Sequence, residues 1–367
     1  MVLTIIIIRR TVSQVTSPRL LAPALLVSAT LVLAGCSSAG NAATGSSDDL
    51  QVVATTTQIA DLTRNIIGDT DGVTLTQLIQ PNQSAHSYDP SVADLTALGS
   101  ADVLVINGVG LEEWLDDAIE ASGFDGVTVD SDEGITILDD AAGHEDEEHA
   151  DETEAEHAEH ADETDAEHEH EHEHEHEGGN PHIWTDVANA EAMAGTIAAG
   201  LADADPASAA DFEANAADYT GRLADLDAWI RQNIDAVPAD QRLLVSNHDA
   251  FGYFTAAYGI TYVGSVIPSF DDNAEPSAAE IDALVAAITA TGVKAVFSEA
   301  SINPKAADTI ASEADVAVYS GDDALYGDSL GPAGSDGDTY IKTQLHNVRL
   351  ILESWGATPS AVPADLQ

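Results

Sequence analysis

The chain has 367 residues, with 11 lysines and arginines against 65 acidic residues and a formal charge of −54. That length accommodates two lobes of ordinary size, since single domains run to roughly 100–200 residues. A polyanion of this strength repels nucleic acid and anionic lipid headgroups, which excludes both as electrostatic partners and leaves cations as the natural ones.

At the N-terminus, Arg9, Arg10 and Arg19 precede an apolar stretch from Leu20 to Leu33. It is too short to span a bilayer as a stable helix and reads as a signal peptide over residues 1–35. The stretch runs into Leu33, Ala34, Gly35 and Cys36, which resembles a bacterial lipobox, and Cys36 is the only cysteine of the sequence. Cys36 is therefore expected to be acylated and to hold the mature protein at the outer face of the cell membrane. With no second cysteine, no internal disulfide can form. Residues 36–49, rich in Gly, Ser and Ala, read as a flexible tether.

From residue 50 onward short apolar strands alternate with helical stretches. "QVVATT", "VTLTQLI", "DVLVIN" and "VTV" read as strands, with "IADLTRNII" and "LEEWLDDAIEAS" among the helices between them. After Gln241 the pattern returns with "LLVSN", "ITYVGSV", "VKAVFSE" and "VAVYS". Buried strands separated by helices predict parallel sheets covered on both faces, hence two Rossmann-like α/β lobes. The first is expected over 50–205 and the second over 239–367. Between them, residues 206–238 are bounded by Pro206 and Pro238. Phe212, Tyr219, Leu223, Leu226, Trp229, Ile230 and Ile234 recur there at helical spacing. One long linking helix is predicted, with a break at Gly221 as the alternative.

Residues 143–179 interrupt the first lobe with a tract made largely of Glu, Asp and His that contains no apolar residue beyond alanine. It cannot bury a core and is expected to be disordered without metal. Its alternating run places His168, His170, His172, His174 and His176 as auxiliary, weak metal binders. Ordering such a tract costs roughly 1–2 kcal/mol per backbone residue, so the affinity should be modest. A solvated polyanion is the alternative.

Nine of the 13 histidines lie between residues 144 and 176, leaving His86, His182, His248 and His346. His86 follows the strand "VTLTQLI", His182 precedes the helix "VANAEAMAGTIAAGLA", and His248 follows "LLVSN". Loops at the carboxyl ends of parallel strands converge on a crevice where open α/β sheets bind ligands. His86, His182 and His248 are therefore expected to share a metal site in the cleft between the lobes. Asp322, Asp323 and Asp328, after "VAVYS", are the candidates for a fourth ligand by position. Imidazoles with one carboxylate and no thiolate suit tetrahedral Zn²⁺, whereas Mn²⁺ prefers more oxygen. His346, inside "TYIKTQLHNVRLIL", reads as structural or exposed.

Several stretches resemble the metal-binding receptors of zinc and manganese ABC importers. They are "IQPNQSAHSYDPSVADLTALGSADVLVINGVGLEEWL", "NPHIWTDVANAEAMAGTIAAGLADADP", "LLVSNHDAFGYFTAAYGI", "AEPSAAEIDALVAAI", "VKAVFSEASINPKAADTIASEADVAV" and "YGDSLG…DTYIKTQLHNVRLI". They follow the family's order and cover nearly all of residues 50–355. The resemblance implies two Rossmann-like lobes on a rigid helix, with His86, His182, His248 and Asp328 as the metal ligands. The chain departs from the family's pattern just before the first histidine, where Ser84 and Ala85 replace an acidic residue and a proline. The His/Asp/Glu tract matches the zinc receptors of the family rather than the manganese ones.

The reading that follows is a monomeric, lipid-anchored receptor that binds Zn²⁺ and passes it to an ABC permease and its ATPase. A manganese receptor is the alternative, and a metal-binding adhesin a lesser one. A zinc hydrolase would need water at an open coordination position, which a fourth protein ligand closes. Glu112 or Glu113 could be imagined as its general base, but both are expected on a solvated helix face.

Overall fold

The computed structural model describes residues 49–138 and 179–367. The signal peptide, Cys36, the rest of the tether and the loop histidines from His144 to His176 lie outside the described residues.

The first lobe is built on β1 (Leu50–Ala54), α1 (Thr57–Ile67), β2 (Val73–Gln77), α2 (Val92–Leu98), β3 (Val103–Ile106), α3 (Leu115–Ser122) and β4 (Val127–Asp130). Its four strands are all parallel, in the order β2-β1-β3-β4. The buried residues Val52, Val53, Ala54, Val103, Leu104 and Val105 form the continuous apolar runs expected of strands covered on both faces. The strand order reverses direction about β1, which opens a crevice at the carboxyl ends. Helix starts are locally encoded: the Thr56 side chain accepts from Ile59 N to cap α1, and Ser91 with Asp94 forms a capping box on α2.

Two helices lead out of this lobe, α4 (Val187–Ala204) and α5 (Ala209–Asp235). The long helix is unbroken at Gly221, and its 27 residues span about 40 Å. All seven apolar residues of the predicted stripe, from Phe212 to Ile234, are buried. The helix packs on α1 and α4 and also on the second-lobe helices at Gly252–Tyr258 and Tyr340–Ser354. One helix therefore carries a core continuous across both lobes.

The second lobe comprises β5 (Leu243–His248), α6 (Gly252–Tyr258), β6 (Thr261–Ile267), α7 (Ala278–Thr291), β7 (Ala295–Phe297), α8 (Lys305–Ala314), β8 (Ala317–Tyr319) and α9 (Tyr340–Ser354). The parallel pair β5–β6 lies beside the parallel pair β7–β8. A single bridge between Glu299 and Leu325 extends the second pair toward the cleft. Among the described residues no helix is long and apolar enough to cross a membrane.

Candidate metal centre

Four side chains converge from three loops and the end of a strand. His86 stands in the turn after β2, His182 just before α4, His248 at the last position of β5 and Asp328 in the segment after β8. One ligand atom from each lies within 4.8 Å of all the others. Asp328 Oδ1 is 3.1 Å from His182 Nε2, and Asp328 Oδ2 is 3.1 Å from His248 Nε2 and 3.3 Å from His86 Nε2. His182 and His248 bring their Nε2 atoms within 3.2 Å of each other. Of the three candidates for the fourth position, the structure brings Asp328 alone into the group; Asp322 and Asp323 are exposed in a turn before it.

The short contacts around Asp328 lack regular hydrogen-bonding geometry. Both Asp328 carboxylate oxygens and His86 Nε2 are buried without a partner of hydrogen-bonding geometry. The tautomers of the other two rings explain the convergence. Asn180 Oδ1 accepts from the His182 backbone N–H at 3.0 Å and lies 2.8 Å from its Nδ1. Glu299 Oε1 accepts from the His248 backbone N–H at 3.1 Å and lies 2.7 Å from its Nδ1. These oxygens only accept, so each Nδ1 carries a hydrogen and each Nε2 is the nitrogen aimed inward, a lone pair whenever the ring is neutral. Three imidazole nitrogens facing one carboxylate away from water suit positive charge among them, carried by protons or by a metal ion.

The protonation equilibria follow the same geometry. Burial pushes His248 down, but the Asp328 and Glu299 carboxylates outweigh it and hold the ring well above its ordinary value. Burial also opposes charge on His86, and the neighbouring Asp328 again wins and raises it. Burial dominates at His182 and lowers it to about 4. Asp328 is held well below the usual carboxylate range, because His248 and His182 overcome the cost of its burial. In the metal-free site, charge on Asp328 is balanced by protons on imidazoles, the groups a metal would displace.

The loops are held by polar contacts that sequence inspection did not assign. Glu112 is buried, contrary to the solvated helix face expected of it; Glu113 is exposed. The reason is that α3 begins only at Leu115, and Glu112 turns inward as an acceptor. Its Oε1 accepts from Thr55 Oγ1 at 2.6 Å and Asn107 N at 2.8 Å, and its Oε2 from Gly108 N at 3.3 Å. Gly108, Val109 and Gly110 all have positive φ, and a side chain at Gly108 would collide with Asp130 and Asp132. The turn so fixed lets Asn107 Nδ2 donate to Pro181 O at 3.0 Å, one residue before His182. Trp114 Nε1 donates to Ala85 O at 3.0 Å, one residue before His86. Gln58 Nε2 and Trp184 Nε1 both donate to Gly327 O, one residue before Asp328. His346 is buried with Nε2 2.9 Å from Ala324 O, which makes it structural and ties α9 to the segment that leads to Asp328.

Glu299 was missed as a site residue, although its place at the end of "VKAVFSE" is the same strand-end signal that marked His248. Asn180 was equally legible as the first residue of "NPHIW".

Residues 52–354 match the family described as zinc-uptake complex component A, periplasmic (ZnuA). The manganese-binding lipoprotein MntA of Halalkalibacterium halodurans is 28% identical over 309 residues, covering 83% of this chain and 89% of that protein. The manganese ABC transporter substrate-binding lipoprotein PsaA of Streptococcus anginosus is 27% identical over 320 residues, covering 84% and 90% respectively. The solved structure of the periplasmic zinc-binding protein TroA from Treponema pallidum resembles this one with a TM-score of 0.67 at 26% identity, over 83% of this chain and 98% of that one. With both lobes and the convergent His and Asp side chains inside the matched span, the chain belongs to the ZnuA family, a family of substrate-binding receptors for ABC transporters and not of enzymes.

Proposed function

We propose that the protein is an extracytoplasmic receptor, anchored through acylated Cys36, that captures Zn²⁺ with His86, His182, His248 and Asp328 and delivers it to an ABC permease. The metal is cargo, so the site must both hold and release it. The observation that carries this reading is the set of buried, unpartnered ligand atoms around Asp328. Three imidazole nitrogens and one carboxylate form the donor set that zinc favours. A tetrahedron with metal–ligand distances of about 2.0 Å has edges of about 3.3 Å. With Asp328 Oδ2 as one corner, its separations from His248 and His86 Nε2 are 3.1 and 3.3 Å and the His182–His248 Nε2 separation is 3.2 Å, edges that support a small ion among these donors.

Manganese is the second reading, and the manganese-binding relatives favour it. Against it stands His248, which leaves the site one carboxylate where a manganese site gains from two. Competitive titration of the purified protein with Zn²⁺ and Mn²⁺ decides between them. Zinc should bind tightly at one equivalent per chain and displace manganese; manganese displacing zinc would assign the site to manganese. The tract from His144 to His176 is proposed to collect zinc weakly near the site.

A further inference from the structure

Resting on the receptor reading above, the geometry points to a latch across the mouth of the cleft. We infer that Ser84 and Asp272, with Ser87 and Asn273 beside them, set how fast the cation enters and leaves.

Of the four ligand side chains, His182, His248 and Asp328 are fully buried, and only His86 reaches solvent, at 9% exposure. A cation must therefore pass His86. The two serines that flank it, Ser84 and Ser87, both reach across to one loop of the second lobe. Ser84 Oγ donates to Asp272 Oδ1 at 2.8 Å, and Ser87 Oγ donates to Asn273 Oδ1 at 3.4 Å. Asn273 Nδ2 in turn donates to Asp272 Oδ1 at 2.8 Å, which joins the two contacts into one hydrogen-bonded bridge.

Both ends of the bridge are tied to the ligands. Ser84 Oγ also accepts from the His86 backbone N–H at 3.2 Å, so the hydroxyl that grips Asp272 also fixes the His86 turn. On the other lobe, Ser269 O accepts from Asp249 N, next to His248, at 3.1 Å. Within the loop, Asp271 Oδ1 accepts from Asn273 N at 2.8 Å, so Asp272 sits on a short braced segment. Parting the lobes at this edge breaks the Ser84–Asp272 contact first and frees His86 to swing outward with its turn. Asp272 also places a carboxylate beside His86 and Asp328, where it favours an approaching dication. Ser84 and Asp272 are thus positioning residues, acting on the metal through His86.

The test is the rate at which protein loaded with one zinc equivalent gives it up to excess chelator in stopped flow. Ser84→Ala and Asp272→Ala should each speed release by about tenfold, the weight of one charge-assisted hydrogen bond. The double variant should release no faster than the faster single variant, because both remove one shared contact. Ser84→Thr keeps the hydroxyl and should restore the wild-type rate. Unchanged release in both alanine variants, or accelerations that multiply in the double variant, would overturn the latch while leaving the receptor reading intact. A wild-type chain that retains no zinc would overturn both.

Discussion

His248 and Glu299 are joined by a 2.7 Å contact between Nδ1 and Oε1, and both side chains are fully buried. Glu299 lies two residues past β7 and His248 at the end of β5, so neighbouring strands present ligand and orienting carboxylate side by side. Glu299 fixes the tautomer that aims Nε2 at the site. It also makes the third ligand position hard to convert. His248→Glu would set a second carboxylate against Glu299 away from water, where two like charges cannot both persist. The single variant should bind neither metal tightly. His248→Glu with Glu299→Gln should recover binding and shift preference toward Mn²⁺, read by competition between the two metals. Tight manganese binding in the single variant would show that Glu299 does not constrain the position.

Removing a ligand should cost more than the 10–100-fold typical of outer contacts to a metal site. Alanine at His86, His182, His248 or Asp328 is each expected to weaken zinc by more than about 100-fold, because the remaining buried donors must recruit water. A chelator competition titration measures this. Any variant that keeps wild-type affinity removes that residue from the site.

Glu112 offers a pH test on a residue that is not itself a ligand. Burial pushes its carboxyl up to about 7, against the donors of Thr55, Asn107 and Gly108. A carboxyl whose folded value is raised contributes stability that is fully present below its unfolded value and lost as pH rises through the folded one. Stability of the metal-free protein relative to Glu112→Gln should therefore fall between about pH 4.5 and about pH 7, by on the order of 2–3 kcal/mol. Denaturant unfolding of both proteins across that window checks it. A constant difference would mean that Glu112 titrates alike in both states.

These residues mark the boundary of what the sequence discloses. The long helix was legible because its prolines and apolar spacing are local signals, and the buried stripe from Phe212 to Ile234 follows from them. The three histidines were legible because strand ends in parallel sheets face one crevice. Glu112 was misread because "GLEEWLDD" has the composition of an exposed helix start, while its carboxylate is claimed by Thr55, 57 residues earlier. Ser84 and Asp272 are 188 residues apart, and no periodicity links them. Contacts of that kind arise only when both lobes have folded.

The loop histidines and the built site should separate cleanly. Deleting residues 144–177 should remove weak, multiple zinc equivalents and leave the tight one, seen in calorimetry as a lower stoichiometry with the tight phase intact. Loss of the tight phase in a variant still folded by circular dichroism would place a ligand in the tract.

X-ray absorption at the zinc edge of that deletion variant, loaded with one equivalent, tests the central assignment most directly. The described structure predicts three imidazole nitrogens and one carboxylate oxygen at about 2.0 Å, with no sulfur. A shell with fewer than three imidazoles, or one unchanged when His182 is replaced by alanine, would contradict the site around Asp328.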